Sequence, residues 1–207
     1  MDLNHEFEVP VTVDEAWKIL TDVERIAPCL PGAELQEIEG DTYRGVVKVK
    51  VGPIQAQFKG QASFVERDDA AHKAVLRGEG RDTGGKGNAS ALITAQLTEM
   101  SASSTKVQVT TDLSITGKIA QFGRGAMADI SDKILGQFVE NLNTLIASQP
   151  AAPAAAQPVA ADAGPRKIDG PEAKPIDLLD AAGAPILKRA LPVVVVVAAV
   201  IVWLIVK

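Results

Sequence analysis

The sequence predicts an α+β domain over residues 1–147, in which a curved antiparallel sheet grips one long C-terminal helix. Three observations predict this class. Apolar residues alternate with polar ones along several segments, a helical period occupies the end of the domain, and an Ala- and Pro-rich composition starts at residue 148. The sheet is expected to be antiparallel because each strand has one polar face.

A strand and short helices open the domain. From Leu3 to Val9 every second residue lies on one face and is apolar, except His5, and this pattern predicts a half-buried strand. The segment VDEAWKILTDVERIA, residues 13–27, then has apolar residues at helical spacing: Trp17, Ile19, Leu20 and Val23.

Further alternating segments predict the body of the sheet. They are TYRGVVKVKV (42–51), IQAQFKGQASFVERD (54–68), a strand through residues 74–80, NASALITAQLTE (88–99) and TKVQVTTDLSITG (105–117). A helix is predicted from Gly117 to about Ala147. It would be about 45 Å long, enough to cross the sheet diagonally. Its apolar residues recur at spacings of three, four and seven: Ile119, Phe122, Ala126, Ile130, Ile134, Phe138 and Leu145.

The stretch GRDTGGKG, residues 80–87, has the spacing of a phosphate-binding loop, G-x-x-x-x-G-K. Such a loop needs a Ser or Thr after its Lys and a helix behind it. Here Gly87 follows Lys86, and the next segment has the pattern of a strand. The stretch therefore predicts a hairpin turn and no nucleotide site.

Small residues are concentrated on the inward face of the middle strands, opposite a helix that carries Gly123, Ala126 and Gly136. Well-packed interiors normally fill such positions with large apolar side chains. Two alternatives stay open: an internal cavity, or very close packing of helix on sheet. A cavity would have apolar walls: Phe58, Phe64, Leu76, Ile93, Leu97, Met127 and Ile130.

Composition and charge argue against several functions. A net charge of -5 gives no basic footprint for nucleic acid. Cys29 is a single cysteine, so we expect no intramolecular disulfide and a reducing compartment. The inward polar residues are His5, Tyr43 and Thr111, with no convergent acid–base set, so we expect no enzyme. His5 is interpreted as a core histidine, and Tyr43 is the candidate polar anchor for a ligand.

The chain beyond residue 147 has a different composition. Residues 148–175 are mostly Ala, Pro and Gly, which predicts a flexible linker. Residues 176–189 predict a short amphipathic juxtamembrane segment, either a docking peptide or the start of the anchor. Residues 190–207 predict a membrane anchor, because 190–206 carry no charge. The basic pair before it predicts that the domain stays on the cytoplasmic face of the cell membrane. Anchor residues are Lys188, Arg189, Leu191, Val195, Val200, Trp203 and Ile205.

Four motifs in order resemble the CoxG family of carbon monoxide dehydrogenase subunits. They are APCLPGAE (27–34), KVGPIQAQFKG (50–60), GEGRDTGGKGNASA (78–91) and TGKIAQFGRGAM (116–127). That family is similar in fold to the START/SRPBCC helix-grip domains. The resemblance implies association with an aerobic molybdenum–copper carbon monoxide dehydrogenase, an enzyme of the molybdenum hydroxylase type, and with its membrane attachment.

These expectations combine into one hypothesis and its alternatives. An isoprenoid quinone, menaquinone or ubiquinone, would lie between helix and sheet, with Tyr43 near its ring, and no cofactor would be covalently bound. The alternatives are a membrane scaffold with a solid interior, and an enzyme, which the missing acid–base set disfavours. The loop 29–32 is a candidate gate. The tail of the quinone would contact Phe58, Leu76, Ile93, Phe122, Ala126, Met127 and Ile130.

Overall fold

The computed structural model of the protein describes residues 1–51, 54–148, 166–168 and 176–177. Seven strands make up most of the sheet: β1 (Asp2–Val9), β2 (Ala33–Glu39), β3 (Thr42–Val51), β4 (Ile54–Asp68), β5 (Lys73–Asp82), β6 (Asn88–Ser101) and β7 (Ser104–Ile115). The α-helices of the described residues are α1 (Val13–Leu20), α2 (Val23–Ile26) and α3 (Gly123–Ala147).

The strands follow one another across the sheet in the order β1-β7-β6-β5-β4-β3-β2, and each neighbouring pair is antiparallel. The alternating burial along β1 and β7 agrees with one wet and one inward face. The helix α3 packs on the inward face, and the fold class predicted from the sequence is confirmed. The strand β2, which sequence patterning did not single out, completes the edge beside β3.

The helix α1 is fixed at its start and on its buried side. The Thr12 side chain accepts a hydrogen bond from the Glu15 backbone N–H at 3.3 Å, which satisfies one free donor of the first turn. Trp17 is buried, and its indole N–H donates to Asp69 at 2.7 Å in the turn between β4 and β5. This contact holds α1 against the turn between β4 and β5.

The long helix begins later than the sequence predicted. Lys118–Phe122 form a 3-10 helix, and α3 starts at Gly123 rather than at Gly117. Both glycines have positive φ, 81° for Gly117 and 78° for Gly123, a conformation that interrupts a right-handed helix. The 25 residues of α3 give a length of about 38 Å instead of about 45 Å.

The packed core lies under the C-terminal half of α3. Phe138 and Leu142 belong to one core cluster with residues from β1, α1, β6 and β7, and the Leu142 side chain has no exposed surface. The rings of Phe7 and Phe138 meet edge to face at 6.1 Å. The large apolar side chains lie at this end of the domain. The N-terminal half of α3 instead covers a part of the sheet that carries small residues.

The stretch of residues 80–87 forms the hairpin between β5 and β6, as predicted. Asp82 is buried at its base and accepts hydrogen bonds from the backbone N–H groups of Gln57 and Lys86, each at 2.9 Å. Burial raises the pKa of Asp82, but these two donors and the Lys86 charge outweigh burial and hold it below its ordinary value. The carboxylate therefore ties the hairpin to β4.

We expect Asp82→Asn to lower the free energy of unfolding at pH 7 by about 2 kcal/mol, because an amide offers one acceptor where two donors converge. Since the folded pKa of Asp82 is depressed, its stabilisation is complete above about pH 4 and is lost as the pH falls through the folded pKa. Urea unfolding of both proteins at pH 7 and pH 3 checks this. A difference between them that did not shrink at pH 3 would contradict the role given to the carboxylate.

Two short strands continue the sheet after α3. Arg166–Lys167 (β8) pair with the free edge of β2, and the Ile168 N–H donates to the Gln36 carbonyl at 2.8 Å. Ile176–Asp177 (β9) run parallel to β3, beside Val49 and Lys50. Backbone pairing at an open edge needs no apolar composition, so one piece of the predicted linker and the first two residues of the predicted juxtamembrane segment add to the sheet.

The remainder of the predicted linker (148–175) and juxtamembrane piece (176–189), and the whole predicted anchor (190–207), lie outside the described residues. None of the helices in the described ranges has both the length and the apolar character needed to cross a membrane.

Candidate ligand-binding cavity

A cavity of about 520 Å³ lies between the N-terminal half of α3 and the inward face of the sheet. This volume is in the range of pockets that take small molecules. The helix side of the cavity is apolar apart from one serine: Ile119, Met127, Ile130, Ser131 and Ile134.

The floor of the cavity is made by small residues that the strand register brings into rows. One row runs Gly45–Gly60–Gly80–Ala89 across β3 to β6, and the next runs Ala62–Gly78–Ala91 across β4 to β6. A Cβ atom at Gly78 would meet no heavy atom within 4 Å. The small residues therefore leave open space above the sheet at this position.

Close packing accounts for other glycines of the same floor. A Cβ atom at Gly60 would run into the backbone carbonyl of Glu79, and one at Gly45 would meet the carbonyl of Glu34. The two alternatives left open by the sequence thus apply to different positions. Gly60 and Gly45 allow neighbouring strands to approach, whereas Gly78 gives volume to the cavity.

The third wall comes from α2, the 3-10 turn Ala27–Cys29 and the start of β2. Leu30 and Val47 line the cavity and are also 38% and 39% exposed, so they mark its mouth. Leu30 belongs to the loop 29–32, which the sequence proposed as a gate. The Gly32 carbonyl of this loop accepts a hydrogen bond from the Lys48 N–H at 2.8 Å, which joins the loop to β3.

Of the ten residues predicted to bind a ligand, the structure brings five together and places four elsewhere. On the lining are Tyr43, Phe58, Ile93, Met127 and Ile130. Leu97 is buried in the packed core, and Phe64 and Leu76 pack against that core. Ala126 is half-buried on α3 but off the lining. Phe122 is the last residue of the 3-10 helix before α3, and its side chain lies outside the described part of the chain. Residues 64, 76 and 97 share the inward face but lie toward its filled end.

Several lining residues were missed as site candidates, although the patterns placed some of them on the inward face. Val47, Val49, Leu113 and Ile115 continue the strand alternation that includes Tyr43 and Ile93. Residues of the 3-10 turn, the loop and β2 had no periodic signal and enter the site because the chain folds over the sheet: Ala27, Leu30, Ala33 and Leu35. Val23 of α2 belonged to the predicted helical set but was not proposed as a site residue.

Among the described residues of the lining, Tyr43 and Ser131 are the polar ones that strand alternation does not place on the outer face of the sheet. Other polar residues border the cavity through their backbones, because strand alternation puts their side chains on the outer face: Glu34, Arg44, Gln61, Glu79 and Ser90. Burial, with a smaller contribution from the Asp41 charge, raises the pKa of Tyr43. Its phenol is therefore a neutral donor at physiological pH, and its ring meets Phe64 edge to face at 6.2 Å.

His5 lies beside the cavity with a serine and an aspartate, but these three do not form a catalytic triad. Asp132 Oδ1 is 3.0 Å from His5 Nε2, and Ser131 Oγ is 3.5 Å from the same nitrogen. A nucleophilic triad uses one imidazole nitrogen for the serine and the other for the carboxylate. The geometry therefore orients Ser131 without activating it.

Other chemistry is sparse in the described part of the chain. It contains no cluster of three His, Cys, Asp or Glu side chains that could hold a metal ion. Cys29 is buried, and burial raises the pKa of its thiol, which keeps it protonated and unreactive at neutral pH. The site is thus suited to holding an apolar molecule rather than to acid–base or nucleophilic reactions.

Comparisons with known proteins agree with this geometry. The model of the carbon monoxide dehydrogenase CoxG family matches residues 6–147. A conserved protein from Geobacillus kaustophilus is similar in structure, with a TM-score of 0.65, 20% identity, and coverage of 71% of this chain and 95% of that one. No curated protein sequence matches the chain.

Two more distant solved structures share the fold. A protein from Rhizobium leguminosarum has a TM-score of 0.52 at 13% identity and covers 72% of this chain and 95% of its own. Norcoclaurine synthase from Thalictrum flavum has a TM-score of 0.52 at 14% identity, with the same two coverages. Similarity at these identities establishes the helix-grip fold alone.

Proposed function

The chain belongs to the CoxG family of carbon monoxide dehydrogenase subunits, and from this membership and its cavity we propose that it carries an isoprenoid quinone. The quinone, menaquinone or ubiquinone, would be taken from the cytoplasmic membrane and presented to a carbon monoxide dehydrogenase as its electron acceptor. The family is named for an accessory subunit of that enzyme, and in this proposal the chain itself catalyses no step.

The observation that carries the proposal is an apolar cavity of about 520 Å³ whose lining includes the polar residues Tyr43 and Ser131. An isoprenoid quinone matches that pattern, because it joins a long hydrocarbon tail to a ring with two hydrogen-bond acceptors. The neutral Tyr43 phenol can donate to one ring carbonyl. A tail longer than the cavity can leave through the mouth at Leu30 and Val47.

The electron balance supports a carrier of this class. Oxidation of CO with water gives CO₂, two protons and two electrons, and a quinone takes up two electrons and two protons to become a quinol. An isoprenoid quinone is insoluble in water and stays in the membrane, and the dehydrogenase named by the family is a separate protein. The quinone therefore has to be moved from the membrane to the dehydrogenase. A domain that encloses the quinone supplies the missing transport step, and the predicted anchor at 190–207 would keep that domain at the cytoplasmic face of the membrane.

The proposal is tested by the composition of the purified protein. Full-length chain from a respiring bacterium, purified in detergent and extracted with organic solvent, should release about one isoprenoid quinone per protein by mass spectrometry. Delipidated protein should take up added quinone to the same ratio. A ratio far below one that added quinone does not raise would overturn the carrier function and leave the membrane scaffold.

A further inference from the structure

The last residues that the structure describes lie beside the mouth of the cavity. The last described strand, β9, pairs with β3 at Val49 and Lys50, on the stretch of β3 that extends beyond its pairing with β2. Val49 lines the cavity, and Val47, two residues earlier on β3, is one of the two exposed apolar residues of the mouth. Strand β9 and the mouth therefore share one edge of the sheet.

A second attachment precedes β9. Lys167 pairs with Glu37 on β2, and Arg166 forms an ion pair with Glu24 of α2, the helix that contributes Val23 to the cavity wall. The segment after α3 is thus fastened to the mouth side of the domain at two places, β8 and β9, rather than departing directly from Ser148.

These attachments shorten the length of chain that connects the described domain to residues 190–207. From Ser148 to Ala190 the 41 intervening residues could extend about 140 Å, several times the diameter of a domain of this size. From Asp177 only 12 residues intervene, and they reach at most about 40 Å, which is close to one domain diameter. With so short a connection, the face of the domain beside β9 is turned toward the membrane that would hold residues 190–207.

We propose that the mouth of the cavity is a membrane-docking surface, with Leu30 and Val47 contacting the acyl chains of the bilayer and β9 fixing this orientation. The inference rests on the proposed function in that residues 190–207 hold the chain in the membrane. Residues 190–207 themselves do not fit the cavity, since 18 residues with bulky side chains far exceed about 520 Å³. The hydrocarbon region of the bilayer is therefore the partner that covers the exposed apolar residues of the mouth.

The orientation is measured with two matched labels. Val47 and Leu92 are both 39% exposed, but Leu92 lies on β6 with its side chain on the outer face of the sheet. A fluorophore maleimide is attached to Val47→Cys or Leu92→Cys in the full-length chain, and the buried native Cys29 takes up little label. Each protein is bound to vesicles of phosphatidylcholine and phosphatidylglycerol with brominated acyl chains, and the quenching of its fluorescence is recorded.

The label at position 47 is expected to be quenched several-fold more than the label at position 92. Equal quenching in protein that sediments with the vesicles would overturn the docking surface and leave the tether intact. Failure of the full-length chain to sediment would overturn the tether and the docking surface together. In Ile176→Pro/Asp177→Pro, which cannot donate backbone hydrogen bonds at β9, the difference should disappear while sedimentation persists. Its persistence would overturn the part assigned to β9.

Discussion

Gly78→Phe is expected to abolish quinone binding without unfolding the protein. Position 78 lies on the cavity floor, and a Cβ atom there meets no heavy atom within 4 Å, so the new ring enters empty space. Glycine in a strand contributes no packing and weakens the strand, so the replacement should not cost stability. We expect binding to weaken at least about 100-fold, which corresponds to about 2.7 kcal/mol. Quinone titration of the delipidated protein measures it.

The matched control is Glu79→Phe, which places the same ring at the neighbouring position on the outer face of the same strand. Its quinone affinity should equal that of the wild type. Ile93→Trp fills the cavity from β6 and should behave like Gly78→Phe. Wild-type affinity in folded Gly78→Phe protein would mean that the quinone does not occupy this cavity. Gly60 is unsuitable for such a test, because a side chain there collides with the Glu79 backbone.

The alternation of residues along the strands predicted which side chains point inward, but not where the interior is filled. Tyr43, Phe58 and Ile93 line the cavity, whereas Leu76 and Leu97, with the same inward direction, lie at the packed end. The difference depends on which half of α3 carries the large core residues Phe138 and Leu142. That placement is a property of the tertiary fold, and no local pattern contains it.

The glycines of this chain have different structural roles, and the sequence alone did not distinguish them. Gly117 and Gly123 looked like small residues of one long helix, but their positive φ values interrupt it and delay its start to residue 123. Gly60 permits a close approach of strands, while Gly78 creates volume. Strand β2, the pairing of β8 with β2 and the pairing of β9 with β3 were missed, because edge pairing depends on backbone hydrogen bonds rather than on apolar periodicity.

The cavity lies where a ligand can be exchanged without opening the core. The packed half, around Leu142 and Trp17, holds α1, α3 and the sheet together, while the hollow half has a floor of small residues and a mouth formed by a loop and β3. Local opening concentrates where few buried apolar contacts hold a segment. Movement of the loop at Leu30 can therefore widen the mouth while the contacts of Phe138 and Leu142 persist.

Removing residues 190–207 is expected to release the protein from membranes and to stop CO-dependent quinone reduction. The 17 residues from Ala190 to Val206 carry no charge, and each Leu, Ile or Val at a helix centre favours insertion by about 0.3–0.6 kcal/mol. The truncated chain should therefore stay in the supernatant when vesicles are sedimented, while it still binds quinone offered in detergent. Quinol formation is measured with carbon monoxide dehydrogenase and quinone-containing vesicles.

Comparing this truncation with Gly78→Phe distinguishes a quinone carrier from a membrane scaffold. A carrier needs both cavity and tether, so either change alone should bring quinol formation down to the rate without the protein. A scaffold needs the tether alone, so Gly78→Phe would leave the rate unchanged. Replacing 190–207 by an unrelated membrane helix should restore the rate in the wild-type domain and not in Gly78→Phe. Restoration in both would mean that the cavity has no part in electron delivery, however well it binds quinone.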